Sequence, residues 1–255
     1  MATFYPLSQK IIKKLDREEK DAPAIRSGKF YIVATPIGNL EDISPRAIRI
    51  LSEVDLILAE DTRVTKKLLA RYQVKTKIIS YHQHSRFKKI DYFLSLLKKG
   101  KDLALVSDAG TPGVSDPGNM LIKRVVEVLG DKIVFIPIPG PSALAAAASV
   151  CNFSMDRFLF LGFPPSKKKR RKFFEQVFVS KYPVVLYEST HRILKTLQEL
   201  VLVSGDVKTE IVVCQKLTKM FERTYRGGIN EVIEKMSAGN LKGEFVIIVN
   251  SGQNA

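Results

Sequence analysis

Apolar residues in this chain fall into two alternating patterns from Lys29 onward. Short unbroken runs take turns with longer stretches in which apolar positions recur every three or four residues. Phe30-Tyr31-Ile32-Val33-Ala34 has no polar interruption and reads as a buried strand. Ser44-Pro45 then opens a helix, with serine as N-cap and proline in the first turn, where its missing N–H has no partner to lose. Ala47, Ile48, Leu51 and Val54 supply that helix with an apolar face. Asp55 to Ala59, Lys77 to Tyr81, Leu103 to Ser107 and Ile133 to Ile138 read as further strands. The helices between them fall at Thr65 to Tyr72, Ile90 to Lys98, after a cap at Asp116-Pro117, and in an alanine-rich stretch from Pro141 to Val150. Leu103 to Ser107 carries no polar alternation, which predicts the centre of a parallel sheet. Strands and helices alternating at this spacing predict an α/β domain with a largely parallel sheet.

The pattern changes near Cys151-Asn152-Phe153-Ser154. Beyond it, strands are expected at Phe158 to Phe163, Val184 to Tyr187, Ile211 to Gln215, Arg223 to Arg226 and Phe245 to Val249. Helices are expected at Lys167 to Val179, His191 to Val203 and Glu231 to Met236. Several of these strands can pair by short returns, so this half reads as a mixed α/β domain. The expected division is an extension over 1–28, a first domain over 29–151 and a second over 152–250. Within the extension, Leu7, Ile11, Ile12 and Leu15 recur at near-helical spacing, which suits either an amphipathic lead-in helix or a frayed tail. The last residues, Ser251 to Ala255, are expected to be loose.

Charge alters this picture more than composition does. The chain has 41 Lys+Arg against 26 Asp+Glu and a formal net charge of +15. A field of that sign draws in a polyanion, so nucleic acid is the expected partner. Cys151 and Cys214 are too few for a metal cluster or a disulfide framework and read as small buried apolar residues. No apolar run approaches the roughly 20 residues that span a bilayer, and the start lacks the pattern of a secretory signal. A soluble cytoplasmic protein is the expectation.

Three loops follow strands of the first half at their carboxyl ends, where open α/β sheets bind ligands. Thr35 to Leu40 is a Pro- and Gly-containing turn without a dinucleotide fingerprint. Ser107 to Gly118 holds three glycines, two prolines and two aspartates; glycine lets backbone approach a ligand and proline stiffens the path, while Asp116 reads as a helix cap. Pro137 to Leu144 runs through three more prolines to Ser142 and Ala143 at the start of a helix, where free N–H groups suit a phosphate and small side chains suit a flat purine. No P-loop, metal-ligand spacing or nucleophile elbow is present. His82, His84 and His191 lack clustered partners, and the His82-x-His84 pair reads as a loop or RNA contact.

The run from Lys167 to Lys172 has six consecutive cations. Phosphate contacts are expected from Lys168, Lys169 and Arg170. Arg63, Arg86, Lys88 and Lys89 would extend the track, with Phe87 available to stack on a base.

Taken together, these stretches resemble the ribosomal RNA small subunit methyltransferase I family, within the tetrapyrrole-methylase-like (class III) methyltransferases. The matching segments are YIVATPIGNLEDISPRA at 31–47, AEDTR at 59–63, SDAGTPGVSDPG at 107–118, PGPSA at 139–143, LGFPP at 161–165, YESTHRI at 187–193 and KGEFV at 242–246. The likeness runs from about Lys29 to Val249. It implies two α/β domains with S-adenosylmethionine in the cleft between them and a homodimer. It also implies methyl transfer to the 2′-oxygen of a cytidine in the decoding region of 16S ribosomal RNA. Other members of the wider superfamily methylate tetrapyrroles or other small molecules, which is the alternative; a non-enzymatic RNA-binding protein on the same fold is a second. Expected cofactor contacts are Pro36, Gly38, Asp108, Gly110, Thr111, Val114, Ser142 and Ala143. A ribose hydroxyl is a poor nucleophile and gains from a base. Glu60, Asp61, Glu188 and His191 are candidates, with Glu60 and Glu188 favoured. The sequence departs from the family at Gln83, where an acidic residue is expected, at Lys216, where an arginine is expected, and in its long lead-in; none of these falls in the three loops.

Overall fold

The computed structural model describes residues 27–81, 87–116, 118–205 and 207–250. The lead-in segment with Leu7, Ile11, Ile12 and Leu15, the His82/His84 pair, Arg86 and the tail from Ser251 lie outside the described residues, as do the side chains of Phe87 and Lys88.

The first half contains strands β1 (Lys29–Val33), β2 (Leu56–Ala59), β3 (Ile78–Ser80), β4 (Leu103–Val106) and β5 (Val134–Ile138). Its helices are α1 (Pro45–Glu53), α2 (Thr62–Arg71), α3 (Phe87–Lys98), α4 (Gly118–Leu129) and α5 (Ala143–Ser149). The strand order is β3-β2-β4-β1-β5, with every pairing parallel. β4 is central and buried along its whole length, as its unbroken apolar run predicts. Phe30, Leu58 and Leu105 meet Phe93, Leu97 and Leu121 from α3 and α4 on one face. Val33, Ile57 and Ala104 meet Ala47, Leu51 and Leu68 from α1 and α2 on the other. Burial of each such side chain is worth about 1.5–3 kcal/mol, which makes this double covering the main source of stability here.

Local capping sets where the helices begin. Ser44 Oγ accepts from Ala47 N at 3.1 Å, and Asp61 Oδ1 accepts from Arg63 N at 2.8 Å. Asp116 Oδ1 accepts from Gly113 N at 2.6 Å and Gly118 N at 2.9 Å, so the expected cap is present. Ser142 is the N-cap of α5, which therefore starts at Ala143 and not at Pro141.

The second half contains β6 (Leu159–Gly162), α6 (Arg170–Val179), β7 (Val184–Ser189), α7 (Ile193–Ser204), β8 (Glu210–Gln215), β9 (Arg223–Gly228), α8 (Ile229–Ser237) and β10 (Glu244–Asn250). The order is β6-β7-β10-β8-β9, parallel between β6 and β7 and antiparallel elsewhere. Helix α6 begins at Arg170, three residues later than the charge run suggested, because Lys169 takes a left-handed conformation at φ 64° and breaks the helical path.

Helices α6, α7 and α8 cover one face of this sheet through Phe174, Leu197, Leu200 and Val232. The other face, with Val185, Val212, Cys214, Val246 and Ile248, packs against Ile37 and against Ala147 of α5. The alanines of α5 thus have a packing reason, since only small side chains let a helix lie close to a sheet. The two halves meet along this seam. Among the described residues no helix is long and apolar enough to cross a membrane.

Candidate active site

The three loops of the first half form one ledge. Thr35 N donates to Gly110 O at 2.9 Å and Gly110 N returns a bond to Thr35 O at 3.0 Å, stitching the first loop to the second. The Thr35 hydroxyl adds a bond to Ser107 O at 3.0 Å. Gly110 can take its place in this bridge because its φ of +83° is open to glycine. The third loop closes on the first at Gly140, where a side chain would meet Ala34 Cβ at 3.0 Å.

Facing the ledge is a row of side chains on the second sheet. Val246 pairs with Tyr187 on one side and with Cys214 on the other, so all three project from one face. Together with Ile37, Leu217 and Phe163 they wall a pocket whose opposite side is Gly110, Thr111, Val114, Ser142 and Ala143. The wall is apolar in character as well as in composition. Burial pushes the Cys214 thiol up to about 11 and raises the Tyr187 phenol, so both are neutral near pH 7. Phe163 meets Tyr187 edge to face, with ring centroids 5.5 Å apart and planes at 65°.

Residues 29–233 match the family model of the tetrapyrrole (corrin/porphyrin) methylases. The chain belongs to that methylase family. Within it, the ribosomal RNA small subunit methyltransferase I of Halalkalibacterium halodurans is 43% identical over 223 residues, 87% of this chain and 75% of that one. The protein of the same name from Thermotoga maritima is 40% identical over 222 residues, 87% of this chain and 98% of its own. Among solved structures, the methyltransferase CobJ superposes with a TM-score of 0.64 at 16% identity over 89% of this chain and 95% of that one. The cobalt precorrin-4 methyltransferase CbiF does so at 0.60 and 17% over 86% and 94%. At such identities the likeness is one of fold, and the fold is the two-sheet α/β architecture described above.

In this methylase, five of the eight expected cofactor contacts line the pocket: Gly110, Thr111, Val114, Ser142 and Ala143. The other three do not. Pro36 is buried in the stem of the first loop. Gly38 lies against the second half, where a side chain would meet Thr218 Oγ1 at 2.7 Å and Leu217 O at 3.0 Å. Asp108 is exposed and its Oδ1 accepts from Asp61 N at 2.8 Å. The sequence missed Phe163, Tyr187, Cys214, Leu217 and Val246 as pocket residues.

The carboxylates of the methylase divide sharply. Glu60, at the carboxyl end of β2, is partly buried, and desolvation together with the charges of Asp108, Asp116 and Asp61 raises its pKa. Its neighbour Asp61 is held down to about 2, chiefly by side-chain hydrogen bonds from Arg63. Arg63 approaches it at 2.6 Å and remains 87% exposed. Glu188, by contrast, is 0% exposed. Its Oε1 accepts from Ser189 N at 2.7 Å and pairs with Arg192 Nη2 at 2.7 Å. Its Oε2 accepts from the Thr196 hydroxyl at 2.6 Å, with Arg170 Nη2 at 4.0 Å. Consecutive strand residues face opposite sides of a sheet, so the Tyr187 side chain enters the pocket while the Glu188 carboxylate turns toward Thr196, Arg170 and Arg192, although Glu188 also borders the pocket. A carboxylate held in this way by Ser189 N, Arg192 and Thr196 has a structural role that competes with its expected one as base.

The cationic run divides as well. Lys167, Lys168, Lys169, Arg171 and Lys172 are exposed. Arg170 is only 7% exposed, donates to Pro165 O at 2.8 Å, and pairs with Glu199 at 2.5 Å. It also lies over the Phe174 ring at 5.0 Å. It supports the fold from inside and has no surface to offer a phosphate, contrary to the sequence reading.

Proposed function

We propose that the chain transfers a methyl group from S-adenosylmethionine to the 2′-oxygen of a cytidine ribose in the decoding region of 16S ribosomal RNA. In this reading it acts on the small ribosomal subunit in the cytoplasm, as a homodimer, with domains divided at 151/152. One observation carries the reading: three loops, the first two bridged backbone to backbone and the third packed on the stem of the first at Gly140, face the apolar row Tyr187-Val246-Cys214 across a single pocket. The fit to the cofactor rests on the donor set. Small residues at Gly110, Ser142 and Ala143 leave room for the polar ends of an amino-acid-bearing nucleoside, and the neutral Tyr187 and Cys214 wall suits its flat base.

When bound, that cofactor supplies a sulfonium methyl that an oxygen nucleophile takes by in-line displacement. The chain's task is then to hold the acceptor oxygen close and aligned, which supplies several kcal/mol. Water exclusion by the apolar wall strengthens each polar contact inside. Glu60 is assigned the proton of the attacking hydroxyl: it stands outside the pocket lining but next to Asp61, whose N–H donates to Asp108 on the second loop at 2.8 Å, and its surroundings raise its basicity. The exposed lysines 167–169 are assigned the RNA backbone. The net charge of +15 and the 40–43% identity to relatives named for ribosomal RNA both favour RNA over a tetrapyrrole.

The test uses full-length protein with methyl-labelled S-adenosylmethionine and, in parallel, unmethylated small subunits and a porphyrinoid. Label in RNA, recovered in an alkali-resistant dinucleotide, is the expected result, because a 2′-O-methyl group blocks alkaline cleavage at that linkage. Label in a base alone, or in the porphyrinoid alone, overturns the reading.

A further inference from the structure

Phe163 stands at the edge of the pocket with 50% of its surface exposed, although large apolar side chains gain from burial. Its position is fixed from several directions. It packs on Tyr187 in a T-shaped contact, and Tyr187 in turn meets Phe160 at 4.9 Å. The preceding Gly162 sits at φ +65° with no space for a side chain, since one would meet Ser115 Oγ at 2.6 Å. The two prolines that follow are pinned by their carbonyls. Arg192 Nη1 donates to Pro164 O at 3.1 Å and Arg170 Nη1 donates to Pro165 O at 2.8 Å. Both guanidinium groups converge on the buried Glu188. A buried ion network is costly to assemble, and here it holds a short segment whose one outward feature is an aromatic ring. The exposed cations Lys167, Lys168 and Lys169 follow within six residues.

A fixed, half-exposed aromatic ring next to a cationic track is an arrangement by which proteins hold unpaired nucleotides: the ring takes the base and the cations take the phosphates. We infer that Phe163 is the platform on which the base of the methylated nucleotide stacks while its ribose enters the pocket. This rests on the RNA-methylating reading of the same site. It adds a nucleobase subsite to it, and it assigns the Arg170–Glu188–Arg192 network to positioning that subsite.

Two substitutions in the full chain test it, Phe163→Leu and Phe163→Trp. Leucine keeps apolar bulk and removes the aromatic face, so KM for small subunits is expected to rise about tenfold. Tryptophan is expected to restore KM to within about threefold of the native value, since its face stacks at least as well. Affinity for S-adenosylhomocysteine by calorimetry is expected to change by much less than KM does, because the half-exposed ring stands at the pocket rim, and the melting temperature stays near native in both. A native KM in Phe163→Leu overturns the platform. So does a loss of S-adenosylhomocysteine affinity equal to the rise in KM, which would make the ring a cofactor wall. A native chain that binds S-adenosylhomocysteine yet methylates no RNA instead removes the parent reading, and the platform falls with it.

Discussion

Gly38 is packed so closely against Thr218 that a methyl group on the glycine would meet the threonine hydroxyl at 2.7 Å. The next residue strengthens the join, with Asn39 N donating to the same hydroxyl at 3.1 Å. Thr218 lies in a left-handed conformation at φ 61°, between Lys216 at 55° and Phe221 at 64°. Such conformations are unfavourable for side chains larger than hydrogen and persist where surrounding contacts enforce them. The enforcing contacts here are the first loop and Glu222, whose Oε2 accepts from Thr218 N at 2.6 Å. The first loop is therefore one of the contacts that join the two halves beside the pocket, along with the seam at Ala147.

Gly38→Ala should reveal this. Among the obstacles is the Leu217 carbonyl at 3.0 Å, which as backbone has no rotamer to escape into. Overpacking of this kind costs about 1–3 kcal/mol. If the halves part to relieve it, S-adenosylhomocysteine affinity falls by about tenfold, in line with about 1.4 kcal/mol per decade. Calorimetry and thermal unfolding of the same variant check both effects. Native cofactor affinity would show that the first loop does not set the pocket.

Glu188→Gln separates a structural carboxylate from a base. Breaking a buried, paired carboxylate costs about 3 kcal/mol, so the melting temperature should drop clearly. The folded enzyme should keep kcat within about threefold, where loss of a base would cost 10² or more. A kcat loss of that size with an unchanged melting temperature would restore Glu188 as the proton acceptor.

The residues that the sequence revealed and those it hid differ in a physical way. Strand β4 was legible because burial on both faces leaves an unbroken apolar run, and α1 because Ser44-Pro45 is a local cap. The ledge was legible because Gly110 and its prolines answer to local backbone geometry. Tyr187, Val246 and Cys214 were hidden because they become neighbours only through the register of β7, β10 and β8. Both faces of that sheet are apolar, so composition does not say which one looks into a cleft. Arg170 was misread for a related reason: six cations in a row look equivalent until the start of α6 decides which one turns inward. A signal for Glu188 did exist, since a carboxylate one residue after a pocket residue in a strand must face the other way.

Glu60 gives a pH prediction. Its folded-state pKa lies above the usual carboxylate range because of desolvation first and then the Asp108, Asp116 and Asp61 charges. The protonated side chain is thus the form the fold prefers. Its full contribution to stability is present below the unfolded carboxylate pKa and is lost as pH rises through the folded value. Glu60→Gln should accordingly stabilise the protein at neutral pH and change little in acid. As the proton acceptor, the ionised form is the active one, so kcat/KM should fall on the acid side with a midpoint above the ordinary carboxylate range. Glu60→Gln should remove that limb and about 10² of rate. A more stable variant with native kcat/KM at every pH would leave Glu60 as a strained bystander.

The cationic run offers the sharpest contrast, because adjacent residues of equal charge are expected to fail in different ways. Lys168 and Lys169 are exposed, while Arg170 is buried against Glu199, Thr196 and Pro165. Each phosphate contact contributes about 0.7 to the slope of log K against log salt for a single strand. Replacing Lys168 and Lys169 by alanine should therefore weaken RNA binding and flatten the slope by about 1.4, with native melting and cofactor affinity. Arg170→Ala should do the reverse. It strands Glu188 and Glu199 without a shared partner, lowers stability by about 3 kcal/mol, and leaves the salt slope of the remaining folded protein as it was. Binding titrations from 50 to 200 mM salt, run beside thermal melts, read both quantities on the same samples. An Arg170→Ala variant with native melting and a flattened slope would return that arginine to the RNA.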